Sequence, residues 1–252
     1  MEKPRHAHIR LVVCLLSGCI FADPIYGQKT PDINKILPIF IEKAEMDSEY
    51  ILNNYTHEEL ETTHQVKNGV ITEIETKKYL VARQDGMLKK KLLSINGIEI
   101  PDSQFENKKE SITISGHLFK RYIFEVRGRG AINGEKCWIL FFKPKPNFPE
   151  EEKKYRVINN LGGEAWVTQD SLTFKKLVTR RPREVDYYYP NLGFGLKAKK
   201  MEGIVEASLL DNRWIITKIR VEFQYSAKAF FWPINKHEIV TILYQNYQRR
   251  KP

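Results

Sequence analysis

Residues 219–225 read "IRVEFQY", with Ile219, Val221, Phe223 and Tyr225 alternating with Arg220, Glu222 and Gln224. Successive side chains of a strand point to opposite faces, so four apolar or aromatic groups share one face and three polar groups the other. Such a strand belongs to an antiparallel sheet with one face on an apolar interior and the other in water. Working outward, strand-like runs separated by turn residues predict further strands at 119–126, 136–143, 155–159, 163–168, 172–179, 202–210, 213–225 and 238–247. "KNGV" at 67–70, between "ELETTHQV" and "ITEIETKKYLVA", is an Asn-Gly hairpin signal, and "INGI" at 95–98 repeats it after "KKKLLS". Glycines and prolines at 128, 130, 134, 144, 146, 149, 162, 182, 190, 193 and 195 mark the connections.

Before the strands, Phe40, Ile41, Ala44, Ser48, Ile51, Leu52 and Tyr55 recur at steps of three and four, which predicts a helix from Pro38 to Tyr55. Pro38 suits a first turn, where its missing N–H is harmless. One face of this helix is apolar or small and needs cover. "CWILFF" at 137–142 is apolar on both faces and reads as a central strand. The economical solution is a mainly β (α+β) fold, a large curved antiparallel sheet closed on its apolar side by the N-terminal helix.

The chain begins "MEKPRHAHIR", then turns apolar from Leu11 to Ala22, broken by Ser17 and Gly18. A basic start followed by an apolar run of about 7 to 15 residues makes a secretory signal, well short of the roughly 20 residues a bilayer-spanning helix needs. Leu16, Ser17, Gly18 and Cys19 have the form of a lipobox, in which Cys19 is acylated and becomes the mature N-terminus. An ordinary signal cleaved after Ala22, with Cys19 an apolar filler, is the other reading. On the lipobox reading, residues 1–18 are the signal, 19–32 a tether carrying "DPIYGQKTPD", and 33–252 one domain. Loss of the signal removes Cys14 and leaves Cys137 without a disulfide partner inside the domain, so stability must come from burial. Cys137 itself reads as a small core hydrophobe.

The formal net charge of +10 falls to +8 when Lys3, Arg5, Arg10 and Glu2 leave with the signal. An exported chain is kept from nucleic acid, so the charge points to anionic lipid headgroups or to solvated faces. No cofactor motif is present. His57 and His64 lie seven positions apart, unlike the four that place two metal ligands on one helical face. "GRGAING" lacks dinucleotide-binding spacing, and there is no nucleophile elbow or phosphate loop. His237, Glu238 and Asp186 could act as acid and base only if a pocket gathered them. The aromatic residues, Trp138, Phe141, Phe142, Trp166, Phe174, Trp214, Phe223 and Tyr225 among them, either fill a core or line a pocket for acyl chains.

The order of parts is informative as a whole: lipobox, amphipathic helix, "YTHEELETTHQVKNGVITEIETKKYLV", "INGEKCWILFFKPKP" and "GGEAWVTQDSLTFKKLVTR". It resembles the exported bacterial proteins similar to outer-membrane lipoprotein-sorting proteins, the LolA/LolB-like group, over about residues 35 to 248. The resemblance implies an incomplete antiparallel β-barrel with helical cover, whose apolar interior receives lipid chains and which carries no catalytic motif. It brings Trp166 and Leu172 in as wall residues, beside Trp138, Leu140, Ile219, Val221, Phe223 and Tyr225 of the interior. The expected role is a non-enzymatic envelope lipoprotein on the periplasmic side of the outer membrane, anchored through Cys19 and binding a lipid acyl chain or a lipidated protein. An anchor departs from a soluble shuttle and favours an acceptor. The alternatives are a structural or interaction module of the same fold with a filled core, and a hydrolase without a known motif.

Overall fold

The computed structural model describes residues 31–107, 120–146, 160–180, 185–189, 194–229 and 232–250. The signal, Cys19, the tether as far as residue 30 and the strand expected at 155–159 lie outside the described residues. Helix α1 (Ile33–Asn54) runs into β1 (Tyr55–Lys67), β2 (Val70–Gln84) and β3 (Met87–Ile95). The short β4 (Ile98–Glu99) and β5 (Phe105–Asn107) precede β6 (Tyr122–Ile132), β7 (Glu135–Pro144), β8 (Gly162–Thr168) and β9 (Phe174–Arg180). β10 (Val185–Tyr189) leads to three long strands, β11 (Phe194–Leu210), β12 (Arg213–Ala229) and β13 (Trp232–Arg249). All 13 strands join one sheet in the order β4-β3-β2-β1-β13-β12-β11-β9-β8-β7-β6, with β10 added on β11 and β5 on β3. Among the described residues the two ends of this order, β4 and β6, do not pair, so the sheet is an incomplete barrel, and its strand pairs are antiparallel.

Tight turns set the register. Asn68-Gly69, Asp85-Gly86, Asn96-Gly97 and Asn133-Gly134 each place both central residues at positive φ, between 49° and 81°. That is the type I′ geometry, whose twist matches the flanking strands and which Asn-Gly and Asp-Gly adopt with least strain. Asp211-Asn212 makes the β11–β12 turn with φ of 50° and 59°. The two Asn-Gly hairpins expected near residues 68 and 96 form.

Three sequence expectations are corrected. The helix starts one and a half turns before Pro38, because Asp32 is its N-cap: its Oδ1 accepts from the Asn34 N–H at 3.0 Å. Gly128 and Gly130 are not connections but lie inside β6, where the Trp166 ring sits on Gly130 in space a side chain would fill. Likewise Gly162 and Gly195 fall within β8 and β11. β7, which carries "CWILFF", is next to the edge strand rather than central. Its cover comes from α1 on one face and from side chains such as Arg127, stacked on Phe141, on the other.

α1 lies across the strands. Its buried residues, Phe40, Ala44, Asp47 and Ile51, recur at steps of four, three and four on one face. Phe40 and Ala44 pack with Trp138, Leu140, Ala165, Val167 and Phe174 of β7–β9. Asp47, itself buried, accepts from the Arg213 guanidinium at 2.9 Å and from the Trp214 backbone N–H at 3.2 Å at the start of β12. Ile51 packs with Tyr55 and Ile215, while Glu49 and Asn53 hold Arg83 of β2. With Val126 of β6 packed against the same core, one helix ties together strands eight places apart in the sheet order, β2 to β6, and the sheet must curve to meet it. Burying Phe40 and Ile51 contributes about 1.5–3 kcal/mol each.

Candidate functional site

Cross-strand register defines the face that α1 packs on. Trp138 stands opposite Val167, and Leu140, Ala165, Leu177, Val205, Ile219 and Ile242 form a continuous row from β7 to β13. At its β7 end this row is sealed by the helix, with Leu140 only 1% exposed. By Val205, Ile219 and Ile242 it is half-buried. The next row, farther from α1, runs Gly163, Thr179, Gly203, Val221 and Val240. Beyond it Phe223 stands between Met201 and Glu238 and stacks with Tyr225 at 6.2 Å between ring centres.

Ile219, Val221, Phe223 and Tyr225 therefore form one half-buried apolar strip along β12, roughly 20 Å long at about 3.4 Å per residue. Gly203 lies directly beside Val221 and raises no side chain from the floor. A Cβ there would stand 2.6 Å from Thr179 Oγ1. On the far side the strip is bounded by polar groups: Glu61 opposes Ile242, Thr63 opposes Val240, and Lys77 of β2 opposes Glu61. Toward α1 this polar side is buried. His57 stacks on Tyr247 at 5.1 Å, with its Nε2 3.5 Å from Glu59 Oε1. Burial, with the Glu59 carboxylate adding to it, pushes the Tyr244 and Tyr247 hydroxyls well above the usual phenol range.

The sequence-chosen wall residues separate into three places. The four residues of β12 come together in the strip. Trp138 and Leu140 belong to the filled core under α1, and Leu172, at φ 50° in the β8–β9 turn, packs against that same core. Trp166 pairs with Ile139 and lies on the opposite face, over Gly130. Sequence reading missed Val240 and Ile242, because "EIVTIL" carries apolar residues on both faces and no alternation singles these two out. It also missed Gly203, whose role shows only once β9 and β12 are placed on either side of it.

What this arrangement can do is bury an apolar chain. Cys137 is buried away from the strip, and burial pushes its thiol up, which disfavours the thiolate a nucleophile needs. His237 is held by Glu222 at 2.9 Å, and Asp186 pairs in register with Lys197 on the next strand. Among the described residues no three His, Cys, Asp or Glu side chains gather as metal ligands. On the opposite face a cleft of about 420 Å³ holds Phe141 and Val178 between Lys143 and Arg180.

No protein-family model matches the chain, and no curated protein matches it. Solved structures do. A LolA superfamily protein, NE2245 from Nitrosomonas europaea, is 13% identical, with 85% of this chain and 94% of that one covered and a TM-score of 0.38. A putative outer membrane lipoprotein-sorting protein domain from Vibrio parahaemolyticus is 8% identical, with coverages of 87% and 94% and a TM-score of 0.41. A DUF1329 family protein from Desulfovibrio piger is 11% identical, with coverages of 84% and 92% and a TM-score of 0.37. This chain is thus similar to structures that include LolA-like proteins, and similarity of this degree carries no functional argument.

Proposed function

We propose that the chain is a non-enzymatic protein of the bacterial envelope that holds a lipid acyl chain, free or on a lipidated protein, along β12. The observation that carries this reading is the strip itself. Ile219, Val221, Phe223 and Tyr225 are half-buried on the same face as a fully buried core. Its length of roughly 20 Å exceeds the depth of one bilayer leaflet, about 15 Å. Each methylene laid fully into such a surface contributes about 0.8 kcal/mol, before the cost of association. The same reading includes the lipobox: cleavage after residue 18, acylated Cys19, a tether to residue 32 and one domain from residue 33, placed at the outer membrane facing the periplasm.

Delipidated protein titrated with a fluorescent long-chain fatty acid should show saturable binding, and native mass spectrometry should show a one-to-one adduct. Absence of both would reject the acyl-chain reading. Cys19→Ser should release the protein from membranes, and metabolic labelling that finds no acyl group on the wild type would reject the anchor. The second reading, a module with a filled core, has its support in Trp138 and Leu140, which α1 already covers.

A further inference from the structure

At the end of β12 away from α1, the strip runs out at Tyr225 beside a cleft of about 530 Å³. Its lining includes Lys67 at the end of β1, the Asn68-Gly69 turn, Lys199 of β11, and Lys236 and His237 of β13. Two of these cations are already committed. Lys236 Nζ lies 3.2 Å from Glu238, and His237 shares Glu222 with Lys200. Lys67 and Lys199 have no carboxylate partner among the described residues. Three strands and one hairpin turn thus converge, with Gln224 of the polar face also in the lining, to place two ammonium groups that have no carboxylate partner among the described residues beside Tyr225, the last residue of the strip.

We propose that this cleft binds a phosphate group, and that Lys67 and Lys199 are the groups that hold it. The ligand class is then an anionic amphiphile, its acyl chain along β12 and its phosphate at Tyr225, an assignment that rests on the acyl-chain reading. A phosphate suits the cleft because lysine binds it as a point charge, from any of several directions, without the planar fork that arginine brings. The chain enters tail first, toward α1, and the headgroup stays at the rim.

The test uses the full chain carrying Cys19→Ser, delipidated, with dodecyl phosphate, uncharged dodecyl maltoside and inorganic phosphate as probes. The wild type should bind dodecyl phosphate at least tenfold more tightly than dodecyl maltoside. A surface lysine near an anionic phosphate is worth about fivefold in affinity, so Lys67→Gln with Lys199→Gln should weaken dodecyl phosphate roughly 30-fold. Binding of dodecyl maltoside should not change. Both lysines are exposed, so the double variant should melt with the wild type. Equal binding of the two dodecyl probes, or full retention of dodecyl phosphate by the variant, would overturn the phosphate site and leave the acyl-chain reading standing. If neither dodecyl probe binds while inorganic phosphate binds the wild type and not the variant, the phosphate site stands and the acyl-chain reading falls. Competition by inorganic phosphate as strong as that by dodecyl phosphate would support the site and assign it to free phosphate rather than a headgroup.

Discussion

Val221→Trp separates an open strip from a filled core, because the two respond oppositely to added bulk. Val221 is half-buried, with Gly203 in register on one side and Val240 on the other. In a packed interior the larger ring would force neighbours off their rotamers and cost about 1–3 kcal/mol. Over an open strip the indole extends away from its neighbours, and the change in stability should stay within about 0.5 kcal/mol. The bound chain fares differently. An indole covering the place of about four methylenes removes about 3 kcal/mol of burial, on the order of 100-fold in affinity. Leu140→Trp is the matched control, since Leu140 is 1% exposed beneath α1. Urea denaturation and a fluorescent fatty-acid titration, both on delipidated protein, read the two effects. Two results would refute the reasoning: Val221→Trp as destabilised as Leu140→Trp, or Val221→Trp stable and binding like the wild type.

Asp47→Ala should destabilise by about 2–4 kcal/mol, since it strands the buried Trp214 N–H and removes a charge-assisted bond to Arg213; an unchanged urea midpoint would mean that α1 is not seated on β12. Glu222, on β12, joins Lys200 of β11 to His237 of β13, and its carboxyl is held below the usual carboxylate range, chiefly by the bond from Lys200. A carboxylate so depressed stabilises the fold above its unfolded pKa of about 4.3, and the benefit is lost as pH falls through the lower folded value. Glu222→Gln should therefore lower the melting temperature at pH 7 and narrow its gap to the wild type below about pH 4, and a gap independent of pH would dismiss the pairing. Fatty-acid affinity should rise with chain length until the tail reaches Ile216 under α1 and then level off; a steady rise through the longest chains tested would place the ligand elsewhere.

The readability of the sequence differs sharply between local and non-local features. β12 was legible because strict alternation survives in seven consecutive residues, and the hairpins because Asn-Gly has one favoured turn. The existence of α1 was legible in its three-and-four spacing. Its start was not, since Pro38 passes for a first-turn residue while Asp32, the actual cap, stands among turn-like neighbours in "KTPD". β11 begins eight residues before the expected strand, because the alternation of Phe194, Leu196 and Ala198 is broken at Lys199-Lys200, where the register shifts, and does not run on into the expected strand. The alternation of Ile219, Val221, Phe223 and Tyr225 shows in the sequence that they share a face, but Trp138 and Leu140, which lie under α1, cannot be told from them there. Whether an inward side chain meets a helix or an opening depends on where α1 crosses the sheet, and that is fixed by Asp47, Arg213 and the core packing of Phe40 rather than by any local spacing.

The geometry of that crossing is also why an apolar strip is left over. A helix of 22 residues is about 33 Å long but only about 10–12 Å wide. Laid across the strands, it reaches β2 and β6 with its length, yet it covers only its own width along any one strand. β11, β12 and β13 have 17, 17 and 18 residues, close to 58 Å each if fully extended. α1 can therefore cover about a fifth of β12, the part near Trp214 and Ile216. Ile219 to Tyr225 lie past its edge and stay half-buried. A helix running along β12 would have sealed these residues and left β7–β9 bare. The transverse helix instead covers one end of the strip, near Ile216, and the other end runs out at Tyr225 beside the cleft that holds Lys67 and Lys199; the proposed acyl chain would lie between the two, its tail toward α1.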